Sequence, residues 1–150
     1  MTAGPPSSGE VLMAQIPFEI IPGVTSASAA AAAAALPLTR RLNSRRLQFV
    51  TGHDAAGTLP ENLNMAALAD PECTTVIYMP KRTFPTLAQR LMDHGLAQDT
   101  PALLAESISQ AEENLIPTTL KALAFQLSKK TGSAPGLILL GPLALRNDRK

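Results

Sequence analysis

Apolar positions along the chain fall into short continuous runs with β-branched residues, separated by stretches with helical spacing. Ile16 to Ile21 is such a run, bounded by Pro17 and Pro22-Gly23, and predicts a short strand. Pro22-Gly23 then marks a turn. Thr25 or Ser26 can cap the helix favoured by the alanines that follow, and Pro37 ends it. Leu47 to Thr51 predicts a second strand, stopped at Gly52, and His53 to Asn64 reads as a polar loop. Met65 to Ala69 predicts a short helix. Thr74 to Met79 predicts a third strand, stopped by Pro80. Phe84, Leu87, Ala88, Leu91 and Met92 share one face of a helix over 84–94, with Gly95 just beyond its end. Pro101 to Ser107 predicts a fourth strand, and Asn114 to Thr118 a fifth, returning antiparallel across Ile108 to Glu113. Thr119 can cap a helix from Leu120 to Lys130, and Gly136 to Leu140 is the last strand. Strands alternating with helices predict an α/β sheet covered on both faces.

Before that frame, Met1 to Gly9 reads as a flexible lead-in without the marks of a signal peptide. Glu10 to Gln15 has helix-forming residues, but at that length it is expected only as the tail of a larger element. No stretch reaches the ~18 to 20 apolar residues of a membrane span.

The 150 residues suffice for one ordinary domain, and 45% hydrophobic residues suffice for its core. A formal net charge of +1 lacks the basic excess that nucleic acid demands, and 3% aromatics argue against stacking on bases or sugars. One cysteine, Cys73, leaves no internal disulfide and no cysteine-based zinc cluster, and fits a reducing, cytoplasmic setting.

Generic catalytic signatures are missing: no G-x-G-x-x-G, no Walker loop, no H-E-x-x-H and no G-x-S-x-G. His94 is expected to complement a helix C-terminus. His53 lies where open α/β sheets bind ligands, yet a lone loop histidine is more often solvated. Cys73 reads as a small, semi-buried residue and not as a nucleophile. Lys81-Arg82-Thr83 follows a strand, and its default reading is a solvated loop. Pro22-Gly23-Val24-Thr25-Ser26 is the most informative segment. It is a tight turn into a helix N-terminus, whose free N–H groups can receive an anionic group.

The same residues carry a family resemblance. IPFEIIPGVTSASAAAAAAALPLTRR is similar to the segment with which uroporphyrinogen-III C-methyltransferases, of the tetrapyrrole methylase family, leave their first domain. The likeness continues through LQFVTGHDAAGTLPENLNMAALA, TTVIYMPKRTFPTLAQRLMDHGL, TPALLAESIS and PGLILLGPLAL, in family order, from about Glu10 to Arg146.

The resemblance implies a tetrapyrrole methylase-like C-terminal αβα domain with a mixed sheet of about five strands over 46–150. Residues 10–45 are then the last strand and helix of the N-terminal domain. It implies S-adenosyl-L-methionine as cofactor and uroporphyrinogen III as substrate, methylated at C-2 and C-7 to precorrin-2. It also implies a homodimer. Thr25 and Ser26 match the cofactor-contacting pair after P-G-V, Met79 the methionine beside the adenosine, and Pro135, Gly136 and Leu137 the segment near the adenine.

There are departures. The family's G-x-G-P-G-D and G-G-D-P loops, with its candidate acid and base, have no counterpart here. Pro80 and Ile108 stand where the family carries glycines, and Arg40 replaces the histidine of P-L-T-H-R. Ile108 would crowd the adenosine if its backbone needed a positive φ. The expectation is therefore a truncated enzyme, inactive alone. The alternative is a non-catalytic nucleoside-binding or dimerisation module.

Overall fold

A computed structural model describes Gln15 and residues 17–144. The lead-in over 1–9 and most of the expected helical tail before Gln15 lie outside the described residues. Five strands form one sheet: β1 (Arg46–Thr51), β2 (Cys73–Tyr78), β3 (Pro101–Glu106), β4 (Asn114–Thr119) and β5 (Gly136–Leu140). Its order is β1-β2-β5-β3-β4. β1 and β2 are parallel, whereas β5 lies antiparallel between β2 and β3, and β4 antiparallel on β3. This arrangement brings the C-terminal ends of β1, β2 and β3 and the N-terminal ends of β4 and β5 to one edge of the sheet.

Side chains alternate across the sheet, and each face is covered. On one face Ile77, Leu104, Ile138 and Leu140 pack beneath three helices, α2 (Met65–Leu68), α3 (Phe84–Asp93) and α4 (Leu120–Lys129). On the other face Val76, Leu103, Ala105, Leu137 and Leu139 meet α1 (Ser26–Ala33) through Ala27 and Ala30. α1 buries methyl groups only, so it lies close to the sheet. Thr25 is its cap: the Ser28 amide donates to Oγ1 at 3.2 Å. α3 ends as expected, with His94 Nδ1 2.8 Å from the Arg90 carbonyl and Gly95 at φ +93°.

Two expectations need correction. Pro17 to Ile21 forms no strand, and Phe18, Ile20 and Ile21 are 43%, 75% and 79% exposed. The apolar pattern is present, but among the described residues no strand pairs with it, and a strand exists only through its ladder. The run Lys81-Arg82-Thr83 is not a solvated loop. Lys81 and Thr83 are buried, and only Arg82 is exposed. Thr83 Oγ1 donates to the Gly52 carbonyl, and Lys81 forms an ion pair inside the fold.

Cys73 opens β2 and is buried. Burial foremost, then the Asp70 carboxylate, pushes its thiol pKa up. The thiolate is the reactive form, so Cys73 should react slowly with a disulfide reagent at pH 8 and fast once the chain is unfolded in guanidinium. Equal rates in the two states would show that the site is open.

Candidate functional site

The sheet edge that gathers β1, β2 and β3 by their C-terminal ends opens into a cavity of about 550 Å³. Ligands in open α/β sheets bind at this end, where loops diverge from strand termini. Its walls come from four segments. Ser26 stands at the start of α1, Tyr78 ends β2, and Met79, Lys81 and Arg82 follow it. Ser107, Ile108 and Gln110 follow β3, and residues 131–137 lead into and begin β5. His53, after β1, completes the rim.

Backbone geometry explains how these loops leave the sheet so abruptly. Met79, Ser107 and Ser109 have φ of 49°, 49° and 64°, the left-handed region in which a strand can turn at once. Ile108 has no positive φ, so the expected crowding at that position does not follow. The strained residues are the serines beside it. The Ser107 amide donates to the Pro135 carbonyl at 2.9 Å, tying the loop after β3 to the segment before β5. Gly52 brings the loops after β1 and β2 together: a Cβ there would lie 2.8 Å from Pro80 Cα.

The structure brings together six of the seven residues singled out from the sequence. Ser26, Met79, Ile108, Pro135, Gly136 and Leu137 all line the cavity, while Thr25 stands beside it as the cap of α1. Met79, Ile108 and Leu137 supply apolar surface. Ser26, Ser107, Thr131 and Ser133 supply hydroxyls, and Lys81, Arg82 and His53 supply nitrogen donors. Among the described residues no carboxylate lines the cavity, and no group of three metal-ligating side chains occurs.

Sequence reasoning weighed Lys81 as a cation that could meet an anionic substrate edge or be solvated, and missed its ion pair and the loop over 131–134. Lys81 was visible as a cation directly after a strand, but its partner Glu106 is 25 positions away. Arg40 takes part in a local turn, pairing its backbone with that of Ser44 far down the sheet from the cavity.

The rim loop after β1 is organised by one carboxylate. Asp54 accepts from the Ala56 and Thr58 amides at 2.9 Å each and from Thr58 Oγ1 at 2.8 Å. The Thr58 contacts, largest first, hold its pKa below the ordinary carboxylate value. A lowered acid pKa stabilises the folded loop above the unfolded pKa, and this is lost as pH falls through the folded value. Acid titration should therefore shift the Thr58 amide resonance with a midpoint below the ordinary carboxylate value. A midpoint above the ordinary carboxylate range would contradict these contacts.

Residues 8–124 match the family of Tetrapyrrole (Corrin/Porphyrin) Methylases. The chain belongs to the tetrapyrrole methylase family. It is 37% identical over 134 residues to a uroporphyrinogen-III C-methyltransferase of Paracoccus denitrificans, covering 89% of this chain and 46% of that protein. It is 38% identical over 126 residues to the chloroplastic S-adenosyl-L-methionine-dependent uroporphyrinogen III methyltransferase of Arabidopsis thaliana, covering 84% of this chain and 34% of that one. Among solved structures, a uroporphyrin-III C-methyltransferase from Thermus thermophilus complexed with S-adenosyl homocysteine superposes with a TM-score of 0.72 at 28% identity. It covers 89% of this chain and 56% of that one. A cobalt precorrin-4 methyltransferase of cobalamin biosynthesis superposes with a TM-score of 0.75 at 25% identity. The chain thus spans less than half the length of these two sequence relatives. The mixed five-stranded αβα architecture expected from the resemblance is the architecture of these structures. No helix among the described residues is long and apolar enough to cross a membrane.

Proposed function

We propose that the cavity holds S-adenosyl-L-methionine and forms one wall of a site that methylates uroporphyrinogen III at C-2 and C-7, giving precorrin-2. In this reading residues 10–45 end the first methylase domain and residues 46–150 form the second. The carrying observation is the convergence of Ser26, Met79, Ile108, Pro135, Gly136 and Leu137 on one cavity, at the end of the sheet where its loops diverge. The residues suit the group. A purine needs apolar walls, and Met79, Ile108 and Leu137 offer them without a competing carboxylate. A ribose needs hydroxyl partners, and the serines offer those.

S-adenosyl-L-methionine, when bound, supplies an electrophilic methyl group on a sulfonium. The chain's own part is positioning. Thr25 holds the first turn of α1, and with it Ser26, against the cavity. At Gly136 a Cβ would meet the Ala105 carbonyl oxygen at 3.3 Å, so the bare backbone lets the start of β5 sit tight against β3 at the cavity wall. The left-handed turns at Met79 and Ser107 set the opposing walls. Such a site works by aligning two reactants and excluding water.

Isothermal titration with S-adenosylhomocysteine tests the cofactor assignment. Binding near micromolar is expected, and no heat at millimolar ligand would remove it. The exposed run of Phe18, Ile20, Ile21 and Val24 supports a second element of the reading, association as a homodimer. Sedimentation as a monomer at all concentrations would count against it.

A further inference from the structure

Lys81 is the least expected buried group in the molecule. It is 8% exposed, although lysine is rarely buried without a partner. Its Nζ donates to Glu106 Oε1 at 2.6 Å and to the Ala134 carbonyl at 2.9 Å. The other Glu106 oxygen is 3.5 Å from Asn114 Nδ2. One ammonium group therefore ties together the loop after β2, the end of β3 and the segment before β5. These are three of the segments that wall the cavity.

The neighbouring glycines fit the lysine. A Cβ at Gly132 would lie 3.3 Å from Lys81 Nζ, and one at Gly136 would lie 3.4 Å from Lys81 Cδ. A side chain at Gly132 would crowd the ammonium, whereas the bare Gly136 leaves room for the lysine stem at ordinary contact. Stability alone is a weak account of such a pair, because taking two charges out of water offsets most of their attraction. Geometry is a better account. A charge-assisted bond is short and directional, and here it carries the loop after β2 and the Ala134 carbonyl onto Glu106, at the point where the β3–β5 ladder ends at Glu106 and Gly136.

We propose that Lys81 and Glu106 are positioning residues of the cavity: their ion pair, completed by the Ala134 carbonyl, sets the separation between the loop after β2 and the segment 131–136 and thereby the fit of the nucleoside. This rests on the cofactor reading above, and two readouts keep the two claims apart.

The first readout is affinity for S-adenosylhomocysteine. Lys81→Met keeps the apolar stem and removes the donors. Glu106→Gln keeps the shape and removes the charge. Each should raise Kd by roughly 10-fold or more, because a small misplacement of a positioned wall is costly. The double variant should be no worse than the weaker-binding single one, since both break the same brace. Leu123→Val, in the core away from the cavity, is the control: it should lower the melting temperature and leave Kd unchanged. If the two brace variants lower melting temperature and leave Kd unchanged, as the control does, the proposal fails.

The second readout needs no ligand. The Ser107 amide, which donates to Pro135 beside the brace, should exchange with deuterium roughly 10-fold faster in Lys81→Met, while β2 and β5 stay protected. Unchanged exchange at Ser107 overturns the proposal even if the wild-type chain binds no S-adenosylhomocysteine, which would overturn only the cofactor reading.

Discussion

Replacing Gly141 by alanine is expected to destabilise the chain by about 3 kcal/mol or more and to lower its melting temperature by about 10 °C. Gly141 follows β5 with φ at +130°, a conformation that L-residues rarely adopt. A Cβ at that position would lie 2.3 Å from the Cys73 carbonyl oxygen and 3.3 Å from Thr74 Cα. Both obstacles are backbone of the adjacent central strand, so neither can rotate aside. The Gly141 amide also donates to the Pro101 carbonyl at 3.0 Å, which ties the exit of β5 to the start of β3. The insult thus falls on the two strands that flank β5. Gly23→Ala is the matched control, because nothing lies within 4 Å of its added Cβ. It should change stability by less than about 0.5 kcal/mol. Thermal unfolding of the two variants side by side decides the matter. A Gly141→Ala protein melting within about 3 °C of the parent would mean that the close approach to Cys73 relaxes at little cost.

Gly141 also shows where sequence reading stops. Strands and helices were legible because each rests on local pattern. Leu137 to Leu140 is a continuous apolar run, and α3 repeats its apolar face at helical spacing. The site was legible in part for a related reason. A turn at Pro22-Gly23, a strand end at Met79 and a Pro-Gly pair at 135 and 136 are local signals, and the family resemblance put them in one list. What the pattern does not hold is which strand lies beside which. β5, last in sequence, sits between β2 and β3, so the approach of Gly141 to Cys73 joins positions far apart in the chain. The Lys81–Glu106 pair was invisible for the same reason, and a cation after a strand looks solvated until its partner is known. The reverse error occurred at Ile16 to Ile21. Its composition suits a strand, but a strand needs a neighbour that composition does not supply.

The second large effect is expected at the cavity end of the sheet. Phe84→Ala should cost about 3 to 5 kcal/mol, read as a fall in urea midpoint with little change in slope. Phe84 is fully buried at the start of α3, packed in the cluster that joins α2, α3 and α4 to the sheet. Its loss leaves a cavity that neighbours on three helices and the sheet close only in part. Its backbone matters as well. The Phe84 amide donates to the Pro80 carbonyl at 2.7 Å, so the ring anchors the turn that carries Met79, Lys81 and Thr83. Because that turn also forms a wall of the cavity, stability and ligand affinity should fall together in Phe84→Ala. In Gly141→Ala only stability should fall, since Gly141 lies at the opposite end of β5 from Gly136. Phe84→Leu, which refills most of the volume, should recover the larger share of both losses. If Phe84→Ala lost less than about 1 kcal/mol, α3 would have to close over the vacated space by sliding, and the wall carrying Met79 would have to move with it. That outcome would disprove the rigid anchoring of the cavity to the core.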